Sequence, residues 1–358
     1  MSKTRVLIID DSSLIRKILT EILNSSPDIE VVGVAADPLI AREMIKQLNP
    51  DVLTLDIEMP HMDGITFLKN LMRLRPTPVV MISTLTEKGA EVTLDALTFG
   101  AVDFIAKPKV DVISTLNSYA DEVIAKVKMA ARANLRSIDN RALNSKDTNT
   151  SLIIKQKADV ARKATTISHK IIAIGASTGG TEAIKHVVKD LPADTHAVLI
   201  VQHLPAAFSE SLARHIDLVS QMTACIPIHG QIIENGHIYL APGDQHMTVI
   251  KEGFRYVIQL NDGELINRHK PAVDALFHSV AKNVGTNAIG VLLTGMGADG
   301  ALGMKSMHEA GAKTVIQDEQ SSVVWGMPGA AFKLGCTDHV LPLSEIADKI
   351  LILATKIK

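Results

Sequence analysis

Short apolar, β-branched runs alternate with stretches of helical spacing, and the alternation occurs twice, on either side of a polar interval. In the first part, residues 6–9, 31–35, 52–55, 79–82 and 103–105 read as five short buried strands. Residues 14–23, 40–48, 65–74 and 90–99 carry helical spacing between them, and a fifth helix is predicted over roughly 116–131. Such βα alternation implies a parallel sheet with helices on both faces. After residue 170 the pattern resumes, with strands predicted at 171–174, 197–201 and 288–293, and others at 238–240, 247–251, 256–259 and 314–317. The closely spaced strands and turns of 236–266 predict an antiparallel hairpin beside a mostly parallel sheet. Between the two parts, residues 132–170 are rich in Lys, Arg, Asn, Ser and Thr and poor in large apolar residues, as in a solvated interdomain connector.

A chain of 358 residues exceeds one typical core, so two domains are expected. Aromatic residues make up only 3%, so the core must be built from Ile, Val, Leu, Ala and Met. The net charge of −2 gives no reason to expect nucleic acid or a membrane surface as partner. Cys225 and Cys336 stand alone, without metal-like spacing, which excludes a disulfide scaffold and suits a reducing compartment. No apolar run approaches the ~20 residues of a membrane helix, and the first residues lack a signal-peptide pattern. The expected location is cytoplasmic, with no membrane insertion.

The chemistry lies at the strand ends. Asp10 and Asp11 end the first predicted strand, Asp56 the third, Ser83 the fourth, and Lys107, just before Pro108, the fifth. In an open parallel sheet the carboxyl ends share one edge, so residues spread over about a hundred positions meet there. Crowded carboxylates repel one another, and a hard cation such as Mg2+ relieves that repulsion through oxygen ligands. The cation also neutralises an incoming phosphoryl group, which makes Asp56 a usable nucleophile. Lys107 adds positive charge, and the Ser83 hydroxyl can bond a phosphate oxygen. A lone Asp-Asp pair would carry little weight; the ordered set is specific. It resembles a response-regulator receiver domain over about residues 4–122. The resemblance implies Asp56 as phosphoacceptor, a metal site of Asp10, Asp11, Asp56 and the Glu58 backbone carbonyl, and a switch of Ser83, Phe104 and Lys107.

In the second part, residues 171–180 combine a buried run with a Gly-rich turn around Ser177, followed by a helical pattern at 181–188. The string Gly175-Ala-Ser177-Thr-Gly179 fits a nucleophile turn, G-x-S-x-G. It also looks like a dinucleotide loop, but one with Ser177 in place of the second glycine. The partners favour a nucleophile. His203 follows the run AVLIVQ, and Asp299 follows AIGVLLTG in the loop GMGADGA. Serine needs a base to take its proton, and the imidazole needs a carboxylate to fix its tautomer. The chain order Ser, His, Asp differs from the α/β-hydrolase order, which points instead to a Rossmann-like, doubly wound sheet with its own triad. Backbone N–H groups near Thr178 and Met296 are the candidate oxyanion donors. His246 and the segment Arg268-His269-Lys270-Pro271 are candidates for the rim of the cleft. No metal is called for in this half.

The strings GASTGG, VQHLP, YLAPGDQHM, VDALF and LLTGMGADGA together closely resemble the CheB family of chemotaxis protein-glutamate methylesterases. The small departure is Leu204, where many relatives carry Met. The resemblance implies a receiver at 4–122, a linker at 123–168 and a catalytic domain at 169–358. It implies hydrolysis of glutamate γ-methyl esters on methyl-accepting chemoreceptors, release of methanol, and deamidation of receptor glutamines. It further implies phosphorylation of Asp56 by a CheA-type histidine kinase. A glutamine amidase with the same site, and a phosphorylation-controlled docking or nucleotide-binding module, are the rival readings. A DNA-binding output finds no basic recognition helix in the sequence.

Overall fold

The apolar runs become the central strands of two separate parallel sheets. The computed structural model describes residues 3–59, 62–84, 86–107, 116–135 and 169–356, and the chain divides into two units with their own cores. Most of the expected 123–168 linker, and Pro108, lie outside the described residues.

The first unit runs β1 (Thr4–Ile9), α1 (Ser13–Asn24), β2 (Ile29–Ala35), α2 (Pro38–Leu48), β3 (Val52–Asp56), α3 (Gly64–Leu74), β4 (Val79–Ser83), α4 (Glu87–Thr98), β5 (Asp103–Ala106) and α5 (Leu116–Ala130). The strand order is β2-β1-β3-β4-β5 with every pair parallel, the flavodoxin-like order. Strands β3 and β4 are buried throughout, as the unbroken apolar runs require. Helices α2 and α4 start earlier than their apolar periodicity. Asp37 and Thr86 cap them by accepting backbone N–H bonds, from Leu39 and Ile40 and from Gly89 respectively, so the caps and not the apolar spacing set where each helix begins. The expected domain boundary at 122 falls inside α5, whose Val123, Val127 and Ala130 are buried. That face packs against α1 and the sheet, so the first compact unit continues through α5.

The second unit runs β6 (Ile171–Ala176), α6 (Gly180–Val188), β7 (Ala197–Gln202), α7 (Ser209–Val219), β8 (Thr223–Cys225), β9 (His237–Leu240), β10 (His246–Glu252), β11 (Arg255–Asn261), α8 (Val273–Asn283), β12 (Ala288–Leu292), α9 (Ala301–Glu309), β13 (Lys313–Gln317), α10 (Met327–Lys333), β14 (His339–Leu341) and α11 (Leu343–Lys356). Seven strands form one parallel sheet, β14-β13-β12-β6-β7-β9-β8. Strands β10 and β11 form a separate antiparallel hairpin that turns at Gly253 and Phe254. Within 236–266, then, only β10 and β11 are antiparallel; β9 joins the main sheet. The strings APGD and NDG flank the hairpin rather than turn it.

Central strands β6, β7 and β12 are buried at every position. Each such Ile, Val or Leu contributes about 1.5–3 kcal/mol by leaving water. From β6 the chain proceeds to β7 on one side and later to β12 on the other, so the sheet reverses direction about β6. Crevices outside the carboxyl ends of strands at such a reversal are where open α/β sheets bind ligands. No helix among the described residues is long and apolar enough to cross a membrane.

Candidate functional site

At the end of β1 and β3, Asp10 and Asp56 are buried and Asp11 is exposed, and ligand oxygens of all three lie within 4.8 Å of one another. Lys107 Nζ donates to Asp56 Oδ2 at 2.8 Å and lies 3.7 Å from Asp10 Oδ2. Burial pushes Asp56 up; Lys107 opposes this, the Asp10 charge adds to it, and the carboxyl ends at about 6. Burial raises Asp10 as well. Asp10 Oδ2 is buried and accepts no hydrogen bond. Three carboxylates sharing one lysine, with an unused buried oxygen, form a hard oxygen donor set short of positive charge. It fits Mg2+.

A cavity of about 390 Å³ opens beside Asp56, lined by Ile57, Glu58, Met59, Ser83 and Thr84 among others. The Ser83 hydroxyl lies 2.6 Å from Thr93 Oγ1 on α4, and Thr93 in turn donates to the Gly89 carbonyl. Phe104 is buried, and Lys126 on α5 donates to its carbonyl at 2.6 Å. Asp10, Asp11, Asp56, Glu58, Ser83 and Lys107 thus share one edge of one sheet. Thr93 was not foreseeable, because its place depends on how α4 docks.

In the second unit, strand register sets the first two site residues side by side. Ala176 pairs with Gln202, so the next residues, Ser177 and His203, leave adjacent strands together. His203 N–H donates to the Ala176 carbonyl at 3.2 Å. The Ser177 carbonyl is held twice, by Gly180 N–H at 2.7 Å and by Gln202 Nε2 at 2.9 Å. Gly179 at φ +73° completes the turn into α6; a side chain there would be strained and would meet Val323 at 2.7 Å.

His203 Nε2 lies 2.7 Å from Asp299 Oδ2. Asp299 is buried, and its oxygens also accept from Val273 N–H at 2.7 Å, Asp274 N–H at 3.1 Å and Asn267 Nδ2 at 2.8 Å. Two of these donors are the first turn of α8, whose dipole favours a negative charge. That helix can come so close because Gly175 lacks a side chain: a Cβ there would meet Val273 at 2.2 Å. Burial pushes the Asp299 carboxyl up, but the His203 contact, Asn267 and Val273 outweigh it and hold it near 2. His203 Nδ1 is buried and has no hydrogen-bond partner, so the Ser177 hydroxyl is not bonded to it in this state. Longer catalytic hydrogen bonds without substrate are common.

Gly295 packs against Ser177; a Cβ on it would approach the serine Cβ to 2.8 Å. Both polar backbone groups of Gly295 are engaged with residues 324–327, whereas the N–H of Met296 bonds to nothing among the described residues. The Thr178 carbonyl accepts from Thr294 Oγ1 at 3.0 Å, which fixes the residue after Ser177. His246, a candidate for the cleft rim, is instead buried at 2% exposure, with its ring nitrogens bonded to Glu264 O and Ala272 N. Its role is to tie down the loop before α8. His269 of the other rim candidate stacks on His203, with ring centroids 3.7 Å apart. Gln202, Asn267 and the first turn of α8 are site residues that the sequence did not reveal.

A phosphoacceptor-like carboxylate cluster on one sheet and a Ser-His-Asp set at the reversal of another define a class: receiver-linked α/β hydrolases. Family models match in the same arrangement, the response regulator receiver domain over residues 6–116 and CheB methylesterase over 172–350. A protein-glutamate methylesterase/protein-glutamine glutaminase of Hydrogenovibrio crunogenus is 53% identical, over 99% of this chain and all of the relative. One of Xanthomonas campestris pv. campestris is 55% identical, over 98% of both chains. The crystal structure of the Thermotoga maritima CheB methylesterase catalytic domain, 34% identical, matches all of its own length and 52% of this chain with a TM-score of 0.51. The chain belongs to the CheB methylesterase family.

Proposed function

We propose that this protein is a phosphorylation-activated serine hydrolase that removes methyl esters from glutamate side chains of methyl-accepting chemoreceptors and deamidates receptor glutamines. The observation that carries this reading is the His203–Asp299 contact at 2.7 Å, which leaves Nδ1 of the imidazole unpaired on the strand next to the one that leads into Ser177.

Ser177 Oγ attacks the ester carbonyl while His203 takes its proton on Nδ1. Asp299 stays ionised and keeps the remaining proton on Nε2. The tetrahedral oxyanion is held by backbone N–H groups of Thr178 and Met296, which act where charge develops. His203 returns the proton to the departing methoxide oxygen, and methanol leaves an acyl-Ser177. Water then attacks the acyl carbon, giving its proton to His203; collapse returns that proton to Ser177 and releases the glutamate. A glutamine side chain follows the same route with ammonia as leaving group.

Asp56 is the proposed phosphoacceptor, with a CheA-type histidine kinase as donor. Asp10, Asp11, Asp56 and the Glu58 carbonyl would hold Mg2+, which supplies positive charge to the phosphoryl oxygens. Lys107 contributes a second cation at the same carboxylate. Ser83 and Phe104 relay the change, and the unphosphorylated receiver restrains the esterase. Residues 123–168 connect the two, and a cytoplasmic location follows from these partners.

The test is methanol release from methylated receptor by the full chain with and without phosphorylation. Wild-type protein should release methanol faster when phosphorylated, and Ser177→Ala should release none above background in either state. Near-wild-type release by Ser177→Ala would end the proposal.

A further inference from the structure

The segment between β11 and α8 carries two contacts that the proposed mechanism does not use. Ile266 and His269 exchange both backbone hydrogen bonds, at 3.1 and 2.8 Å, across a two-residue turn. The turn residues Asn267 and Arg268 both have positive φ, +53° and +68°. This geometry aims Asn267 and His269 at the two ends of the His203–Asp299 pair. Asn267 Nδ2 donates one hydrogen to Asp299 Oδ1 at 2.8 Å and the other to Asp274 Oδ2 at 2.7 Å. His269 lays its ring on His203, 3.7 Å between centroids and 10° from parallel. His246 anchors both flanks of the segment, through Glu264 O and Ala272 N.

We propose that Asn267 and His269 are positioning residues for the hydrolytic site, acting through Asp299 and His203; this rests on the reading of Ser177 as nucleophile. Asp274 and Asp299 are neighbouring buried carboxylates. A neutral amide with two hydrogens satisfies one oxygen of each and holds them apart. It leaves Asp299 Oδ2 to His203 and the Val273 N–H. A single hydrogen bond at Nε2 lets an imidazole rock about that contact. A ring stacked on its face removes this freedom, so Nδ1 stays on the line to Ser177 while the proton passes in and out. Misplacement of reacting atoms by about 1 Å can cost on the order of 100-fold in rate.

The experiment uses phosphorylated full-length protein and methylated receptor, with kcat and KM for methanol release and the Tm of each variant. Asn267→Gly keeps the left-handed turn and removes the amide. Asn267→Asp keeps the shape and removes the donor. Each should lower kcat by about 10- to 100-fold with KM within about threefold. His269→Ala should do the same, and His269→Phe should restore most of the loss because it keeps a stacked ring. Wild-type kcat in Asn267→Asp, or a loss carried wholly by KM, overturns the role of Asn267. His269→Phe as slow as His269→Ala overturns the role of the stack. Ser177→Ala runs in parallel: activity there would sink the hydrolase reading itself, whereas an inactive Ser177→Ala beside wild-type-like Asn267 and His269 variants sinks only this inference.

Discussion

His203 meets Asp299 through Nε2, at 2.7 Å, and not through Nδ1. In the well-known serine protease arrangement the carboxylate holds Nδ1, and Nε2 takes the serine proton. Here the imidazole is turned end for end, and the nitrogen left for the proposed proton transfer from Ser177 is Nδ1, buried and unpaired. The arrangement suits a histidine that leaves β7 directly beside Ser177, since Nδ1 is the ring nitrogen nearer its own backbone.

This orientation sets the tautomer. Nitrogen shifts of the neutral His203 ring should show the proton on Nε2. Asp299→Asn should place an amide donor at Nε2, move the proton to Nδ1 and lower kcat on the order of 10⁴-fold, as loss of the correct tautomer does elsewhere. An Nδ1-protonated ring in the active wild-type enzyme would contradict the assignment.

Asp299 also makes a stability prediction with a definite sign. Its folded value near 2 lies below the unfolded value of about 3.9. The stability from its ionised form is therefore fully present above about pH 4 and disappears as pH falls through about 2, an amount of about 2 to 3 kcal/mol. The stability gap between wild type and Asp299→Asn in thermal melts should narrow as the pH falls from about 4 through about 2. The same low value means that Asp299 adds no inflection to the activity profile at neutral pH.

Thr93 on α4 engages the Ser83 hydroxyl at 2.6 Å. A phosphoryl group at Asp56 must compete for that hydroxyl. Thr93→Val removes the competitor, worth about 1 kcal/mol or roughly fivefold in an equilibrium. Unphosphorylated Thr93→Val should release methanol about fivefold faster than unphosphorylated wild type, and phosphorylation should then raise the rate by a smaller factor. Unchanged basal release would show that the Ser83–Thr93 bond does not bias the switch.

Metal removal is expected to block the receiver alone. Chelation of Mg2+, or Asp10→Asn, should abolish or strongly slow phosphorylation of Asp56 from a small-molecule phosphodonor. A fragment beginning at Ser168 should release methanol at the same rate with and without chelator, and faster than the unphosphorylated full chain. Rates for fragment and full chain that match would remove the inhibitory role of the receiver.

Much of this was legible in the sequence, for a physical reason. Strands such as β3, β6 and β12 are buried on both faces, so they must be unbroken apolar runs, and the polar residues that end them stand out. Asp56, Ser83, Ser177, His203 and Asp299 become candidates that way. The edge strands β8 and β14, three residues each, have too little burial to leave a pattern. The hairpin turn at Gly253-Phe254 was hidden beside the stronger turn strings on either flank. Gln202 lies at the end of an apolar run, and its contact with the Ser177 carbonyl depends on the β6–β7 register. Asn267 and His269 are set by a turn remote in sequence from Asp299 and His203. The end of His203 that faces Asp299 is a matter of packing, which strand-end logic does not reach.

The most direct test of the central claim is where a serine-directed phosphonate attaches. Phosphorylated full-length protein should carry one adduct, located by mass analysis at Ser177, and the loss of methanol release should follow adduct formation one for one. His203→Ala should label far more slowly. A protein fully labelled at Ser177 that still demethylates receptor, or one inactivated by an adduct at another residue, would contradict the account.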